Sequence, residues 1–279
     1  MTTVGFIGLG RMGGAMAAHL VEAGHRVVGV DPSPAARDEA GRRGVEIVGS
    51  ATDLRAPVVL SSLPGDTEVE EVYLGGLFEG LEPGSLCLDL STIDVGVSQG
   101  IAAAARRWGH GFLDCPVSGT SIHARAGALA VMVGGDADDV ERAWPYLSTF
   151  SSSIHHLGPN GAGLEMKLIS NRLLNAHLVA IAEAILEMED AGLDTAVCVE
   201  LLRQSAVPRL LEYKAGPMAD RDHSPLFTVD LMAKDLGLAD KRRSAGPVGA
   251  TAASMLVRAQ DRGWGSSDIG AVIEVLKEE

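Results

Sequence analysis

Along the first 160 residues, apolar positions fall in short runs separated by longer amphipathic stretches. The runs are rich in β-branched residues: TVGFI at 3–7, RVVGV at 26–30, VEIV at 45–48, VVLSSL at 58–63, LCLDL at 86–90, GFLDCPV at 111–117, ALAVMVG at 128–134 and IHHLG at 154–158. They read as strands. Residues 11–23, 33–43, 94–107 and 136–146 carry helical periodicity between them. Strand and helix in alternation predict a parallel sheet with helices on both faces.

After Gly158 the pattern changes. LGPNGAG is a loop, and residues 164–191 then run without glycine or proline. At 1.5 Å per residue that is a helix of roughly 40 Å. Apolar residues lie nearly all round it, which predicts burial between domains or subunits. Helical patterns follow at 195–204, 209–220, 229–244, 248–262 and 268–277, with breaks at Gly192, Pro208, Pro225, Gly246–Pro247 and around Trp264. The expected architecture is an α/β Rossmann-type domain over 1–160, then an all-α domain over 161–279, linked by a long interdomain helix.

Composition narrows the function. The apolar share is 46% and the charged share 22%, ordinary for a soluble globular protein. A net charge of −14 argues against nucleic-acid binding, which needs a basic face. It leaves room for an anionic substrate, because a few local donors suffice. Cys87, Cys115 and Cys198 are scattered, with no metal-ligand spacing, so no metal site is expected and the thiols read as reduced and cytoplasmic. The opening MTTVGFIGLG lacks a basic leader pattern and reads as a strand. The long apolar stretch contains Glu165, Lys167, Asn171, Arg172 and Glu183, which argues against a membrane span.

GLGRMG at 8–13 follows the first strand and opens a helix. At such a junction Gly8 allows the turn, Gly10 lets a pyrophosphate approach and Gly13 lets helix and strand pack. Leu9, Arg11 and Met12 then place backbone N–H groups at the helix start. The second strand ends in Asp31, eighteen residues after Gly13. An acid there accepts the adenosine ribose hydroxyls and repels a 2′-phosphate, favouring NAD over NADP. Arg37 nearby keeps NADP open, and Asp31 also fits a helix cap after DPSP.

Three further stretches stand out. DLST (89–92) and DCPVSGT (114–120) end strands on the side where ligands bind in an open α/β sheet. Ser91, Thr92, Ser118, Gly119 and Thr120 supply neutral donors for a small carboxylate, or ordinary turn chemistry. GAGLEMKLISN (161–171) spends one of only five lysines on the front turn of an apolar helix. Lys167 and Asn171, four apart, share one face. A lysine in a partly apolar setting can exchange a proton with an alcohol or carbonyl oxygen. The same spacing fits one half of an interdomain salt bridge.

FIGLGRMGGAMAAHL, DLST, DCPVSGT, the Gly161–Gly163–Lys167–Asn171 spacing, LMAKDLGLA (231–239) and GWGSSDIGAVIEVL together resemble the β-hydroxyacid dehydrogenases, in family order over essentially the whole chain. The resemblance implies hydride transfer between a nicotinamide cofactor and a small 3-hydroxy acid or its semialdehyde. Lys167 would be the general acid/base and Asn171 would position it or the substrate. Ser91 or Thr92 would lie near the nicotinamide, and Ser118, Gly119 and Thr120 would hold the substrate carboxylate. Leu63, Pro64 and Lys234 would contact the cofactor.

Two positions depart from the family. Thr120 stands where it has a second glycine, which bears on the substrate more than on the chemistry. Cys115 stands where it has alanine, as a reactive thiol or a small buried residue. His123 reads as a solvated loop histidine, and His155–His156 as the end of a strand. Imine reduction on the same fold is an alternative, and Lys167 speaks against it. A decarboxylating sugar-acid dehydrogenase would want a basic cluster. A non-catalytic dinucleotide-binding protein could dispense with Lys167, Asn171 and the serines. Excess apolar surface on the helical half predicts a homodimer.

Overall fold

The computed structural model describes residues 2–204, 208–242 and 244–277. It divides into two compact units, Met1–Lys167 and Leu168–Glu279. The division falls inside the long helix rather than at the glycine-rich loop before it.

In the first unit, β1 (Thr3–Ile7), β2 (Arg26–Val30), β3 (Glu46–Ile47), β4 (Val58–Ser61), β5 (Leu86–Asp89) and β6 (Gly111–Asp114) form a parallel sheet in the order β3-β2-β1-β4-β5-β6. The connections carry α1 (Gly13–Glu22), α2 (Pro34–Arg42), α3 (Asp66–Val72), a short α4 (Phe78–Gly80) and α5 (Val95–Arg107). Every residue of β4 and β5 is buried, as expected of strands covered on both faces. Chain order reverses between β1 and β4, which opens a crevice at their carboxyl ends. GLGRMG, LPG and DLST all leave the sheet there.

The far end of the sheet differs from the all-parallel expectation. The run 111–117 breaks at Cys115–Pro116 into β6 and β7 (Val117–Ser118), because proline has no N–H to donate to a ladder. Strand β8 (Leu129–Gly134) is antiparallel to both. Only the short α6 (Ser121–Arg125) joins β7 to β8, and a parallel return needs about a dozen residues or more. Helix α7 (Ala137–Leu147) provides that length, and β9 (Ser151–Gly158) runs parallel to β8.

Helix α8 (Ala162–Asp190) passes from the first unit into the second. The second unit adds α9 (Thr195–Arg203), α10 (Pro208–Ala219), α11 (Val229–Arg242), α12 (Pro247–Asp261) and α13 (Val272–Leu276). Arg243, within the expected 229–244 helix, lies outside the described residues. Leu178, Ala182 and Ile185 of α8 pack in one core with Met232, Leu256 and Ile273. Within one chain α8 is buried along only part of its surface. Met166, Ile169 and Leu173 form an i, i+3, i+7 stripe that is 40%, 58% and 59% exposed. Among the described residues no helix is long and apolar enough to cross a membrane.

Candidate active site

The glycines of GLGRMG are fixed by contact distance. Gly8 takes φ +87°, and a Cβ on it would collide with the Ser62 carbonyl oxygen. A Cβ on Gly13 would collide with the Gly8 carbonyl oxygen. At Gly10 a Cβ would meet nothing within 4 Å, so this is the open side of the loop. No described side chain caps the start of α1, which leaves its N-terminus to an anion. A cavity of about 380 Å³ lies against Gly10 and Arg11, floored by Ala15, Ala36 and Ala40.

Asp31 is 9% exposed. Its Oδ2 accepts from Leu9 N at 2.7 Å and its Oδ1 from Ser33 N at 2.7 Å. The acid is locked beside the glycine loop, and each oxygen keeps a further lone pair for a ribose hydroxyl. The cap of α2 belongs to Ser33, whose Oγ accepts from Ala36 N, so Asp31 is not spent on it. Arg37 donates to the Asp31 carbonyl oxygen at 3.2 Å. Open glycine, uncapped helix and fixed acid fit a bound nicotinamide dinucleotide.

At the ends of β4 and β5 a buried carboxylate organises the next loops. Asp89 Oδ1 accepts from Ser61 Oγ at 2.8 Å and from Ser91 Oγ at 2.6 Å. With its proton on Asp89, Ser91 Oγ accepts from Leu63 N at 2.8 Å. Ser91 is 4% exposed, so its hydroxyl ties the Leu63–Pro64 segment to β5. Tyr73 OH lies 2.7 Å from Ser61 Oγ, and since the serine proton is committed, the tyrosine donates. Asp89 Oδ2 has no hydrogen-bond partner among the described residues. Burial pushes the Asp89 carboxyl up to about 6, against the hydrogen bonds from Ser91 and Ser61. Thr92 is half-buried beside this network.

Ser118 and Thr120 are half-buried, and Gly119 between them is exposed with φ +133°. A Cβ there would sit 2.8 Å from Leu129 Cδ2. Thr120 N donates to His123 Nδ1 at 3.2 Å, and Ile122 N donates to Thr120 Oγ1 at 3.3 Å. His123 is exposed, yet it is tied to Thr120. Cys115 is fully buried, and burial pushes its thiol up, which leaves it unreactive. His156 Nε2 donates to the Gly135 carbonyl oxygen at 2.9 Å, and the described residues hold no metal-ligand cluster.

Lys167 is half-buried on α8, one turn before Asn171. Asn171 is 3% exposed and its Nδ2 donates to Asp235 Oδ2 at 2.6 Å. Asp235 Oδ1 lies 3.1 Å from Lys234 Nζ. The segment MAKDL therefore presents two neighbours differently: Lys234 is one-third exposed, and Asp235 is 2% exposed against Asn171. Sequence reading singled out Lys234 and passed over Asp235. It also passed over Asp89 and Asp114, two buried strand-end acids aligned in register on β5 and β6. A strand-end carboxylate within DLST or DCPVSGT was the available signal.

Residues 3–158 match the family described as the NAD binding domain of 6-phosphogluconate dehydrogenase. Residues 161–276 match that described as NAD-binding of NADP-dependent 3-hydroxyisobutyrate dehydrogenase. An NAD-dependent L-serine dehydrogenase of Pseudomonas aeruginosa is 38% identical, covering 98% of this chain and 97% of the relative. A 3-hydroxyisobutyrate dehydrogenase of the same organism is 40% identical, covering 86% of this chain and 84% of the relative. The solved Mycobacterium tuberculosis 3-hydroxyisobutyrate dehydrogenase with L-serine superposes with a TM-score of 0.89 at 36% identity, over 99% of each chain.

Proposed function

The chain belongs to the β-hydroxyacid dehydrogenase family and is an NAD-dependent hydroxyacid oxidoreductase, and on that premise we propose that its substrate is a small 3-hydroxy acid of the size of L-serine or 3-hydroxyisobutyrate. Lys167 takes the hydroxyl proton during oxidation and returns one to the carbonyl oxygen during reduction. The bound cofactor supplies the hydride acceptor. Asn171, fixed by Asp235, orients the reacting oxygen or the lysine amine. Ser118, Gly119 and Thr120 hold the carboxylate with neutral donors.

Gly10, Arg11 and Met12 hold the pyrophosphate on backbone N–H groups, while Leu9, whose N–H is committed to Asp31, shapes the loop beneath the cofactor, and Asp31 selects NAD. Leu63 and Pro64, tied down by Ser91, line the cofactor with Thr92, and Lys234 contacts it. Ser91 thus acts through the Leu63 segment, since its one proton is committed to Asp89. The observation that carries the reading is a buried Asn171 whose amide is oriented by Asp235, four residues after Lys167 on the same helix. The exposed stripe Met166, Ile169 and Leu173 supports a homodimer, tested by a sedimentation mass of two chains.

The deciding experiment assays L-serine, 3-hydroxyisobutyrate and short semialdehydes with NAD and with NADP, following absorbance of the reduced nicotinamide. Turnover is expected with at least one hydroxy acid and NAD, and Lys167→Ala should lose it by orders of magnitude while still binding NAD. Near-normal turnover in Lys167→Ala removes the lysine from the chemistry.

A further inference from the structure

Asp114 stands where several segments of the first unit meet. It is the last residue of β6 and opens the CPVSGT stretch that leads to Ser118, Gly119 and Thr120. Its carboxylate, in a residue 1% exposed, holds the start of α8. Oδ1 accepts from Gly161 N at 2.7 Å and Oδ2 from Leu164 N at 3.0 Å. These are amides that a helix start leaves without internal partners, and a carboxylate there complements the helix dipole.

Three glycines make the approach possible. Gly161 takes φ +99°, where a side chain would be strained. A Cβ on Gly163 would lie 2.5 Å from the Met132 carbonyl oxygen and 2.9 Å from that of Asp114. A Cβ on Gly134 would lie 2.5 Å from Asp114 Oδ1. Asn160 adds a bond from Nδ2 to the Phe112 carbonyl oxygen at 2.8 Å. The first turn of α8 is thereby pressed onto β6 and β8.

Lys167 follows Leu164 by three residues, about 4.5 Å along a helix axis. A helix is stiff over one turn, so a displacement at Gly161 or Leu164 is carried to Lys167. We infer that Asp114 is a positioning residue for the reaction, locking the turn that bears Lys167 to the strand that delivers the Ser118–Thr120 loop. One buried carboxylate then fixes the separation between the proton-transferring amine and the loop that holds the substrate. This rests on the roles proposed above for Lys167 and for that loop.

A cap that served stability alone would change the folded fraction and leave the kinetics of each folded molecule intact. The test therefore measures kcat per NAD-binding site, KM, and NAD Kd by protein fluorescence. Wild type, Lys167→Ala, Asp114→Asn and Gly163→Ala are compared with L-serine and 3-hydroxyisobutyrate as substrates. Asp114→Asn keeps the shape but can accept only one of the two amides. Its kcat should fall about 10- to 100-fold, with KM and NAD Kd within about twofold of wild type.

Gly163→Ala leaves the carboxylate intact and pushes the helix start off the sheet. It should show the same kcat-selective loss, and it carries the test if Asp114→Asn does not fold. Unchanged kcat per site in the variants, or a loss confined to KM or NAD Kd, overturns the inference. Wild type without turnover, or Lys167→Ala with near-normal turnover, overturns the underlying reading and the inference with it. Active wild type, inactive Lys167→Ala and unaffected Asp114→Asn overturn the inference alone.

Discussion

The carboxamide of Asn171 donates to Asp235 across 64 positions of sequence, with Nδ2 2.6 Å from Oδ2. That bond decides which way the amide points. Nδ2 is committed to the carboxylate, so Oδ1 faces away as an acceptor, with one N–H to spare. Asp235 also neighbours Lys234 Nζ at 3.1 Å, so one buried acid serves two residues of the candidate site.

Asp235→Ala should therefore free the Asn171 amide to rotate and remove the carboxylate beside Lys234. The expected cost is a fall in kcat/KM of at least about tenfold, in line with loss of a charge-assisted hydrogen bond. Asp235→Asn, which keeps one accepting oxygen, should fall less. Steady-state kinetics decide it, and wild-type kcat/KM in Asp235→Ala would remove the acid from the site.

What sequence reading reached was what local pattern encodes. GLGRMG lay at a strand-to-helix junction and Asp31 closed the next strand, and both signals depend only on near neighbours. The spacing of Lys167 and Asn171 needed only a helix. The reversal of β8 was hidden, because apolar periodicity carries no strand direction and the length of the 119–128 connection is what forbids a parallel return. Asp89, Asp114 and Asp235 were hidden because a buried acid is recognised by its partners. Ser61, Gly161 and Asn171 are distant in sequence from the acids they meet.

Cofactor choice should turn on Asp31. Both of its oxygens are fixed by backbone amides, so the charge cannot swing away from an incoming 2′-phosphate. Asp31→Asn removes the charge and keeps the size. The ratio of kcat/KM for NAD over NADP should drop by about tenfold or more. A ratio unchanged from wild type would place the discrimination elsewhere.

In the second unit, Lys214 Nζ meets Asp268 Oδ1 at 2.5 Å with both side chains below a tenth exposed. Asp268 also accepts from Leu226 N at 3.0 Å and Gly270 N at 3.0 Å, so the acid closes the turn before α13. Removing only the cation leaves a buried charge without its counter-ion. Lys214→Met should destabilise by about 3–5 kcal/mol. Urea denaturation reads this directly, and a loss below about 1 kcal/mol would mean the pair is relieved by water.

The Asp89 network gives a pH dependence with a definite sign. Its carboxyl ionises at about 6 in the folded chain against 3.8 for the free group, and burial is the main cause. Between those values the folded protein holds a proton that the unfolded chain has released. Asp89 therefore favours folding most below pH 4, and this contribution is lost as pH rises through 6. The shift corresponds to about 3 kcal/mol. Asp89→Asn cannot ionise but can still accept from Ser61 and Ser91. Its stability relative to wild type should rise by about 2 kcal/mol between pH 4 and pH 8, measured by urea denaturation at each pH. A stability difference that stays flat with pH would show that Asp89 keeps an ordinary carboxyl in the fold.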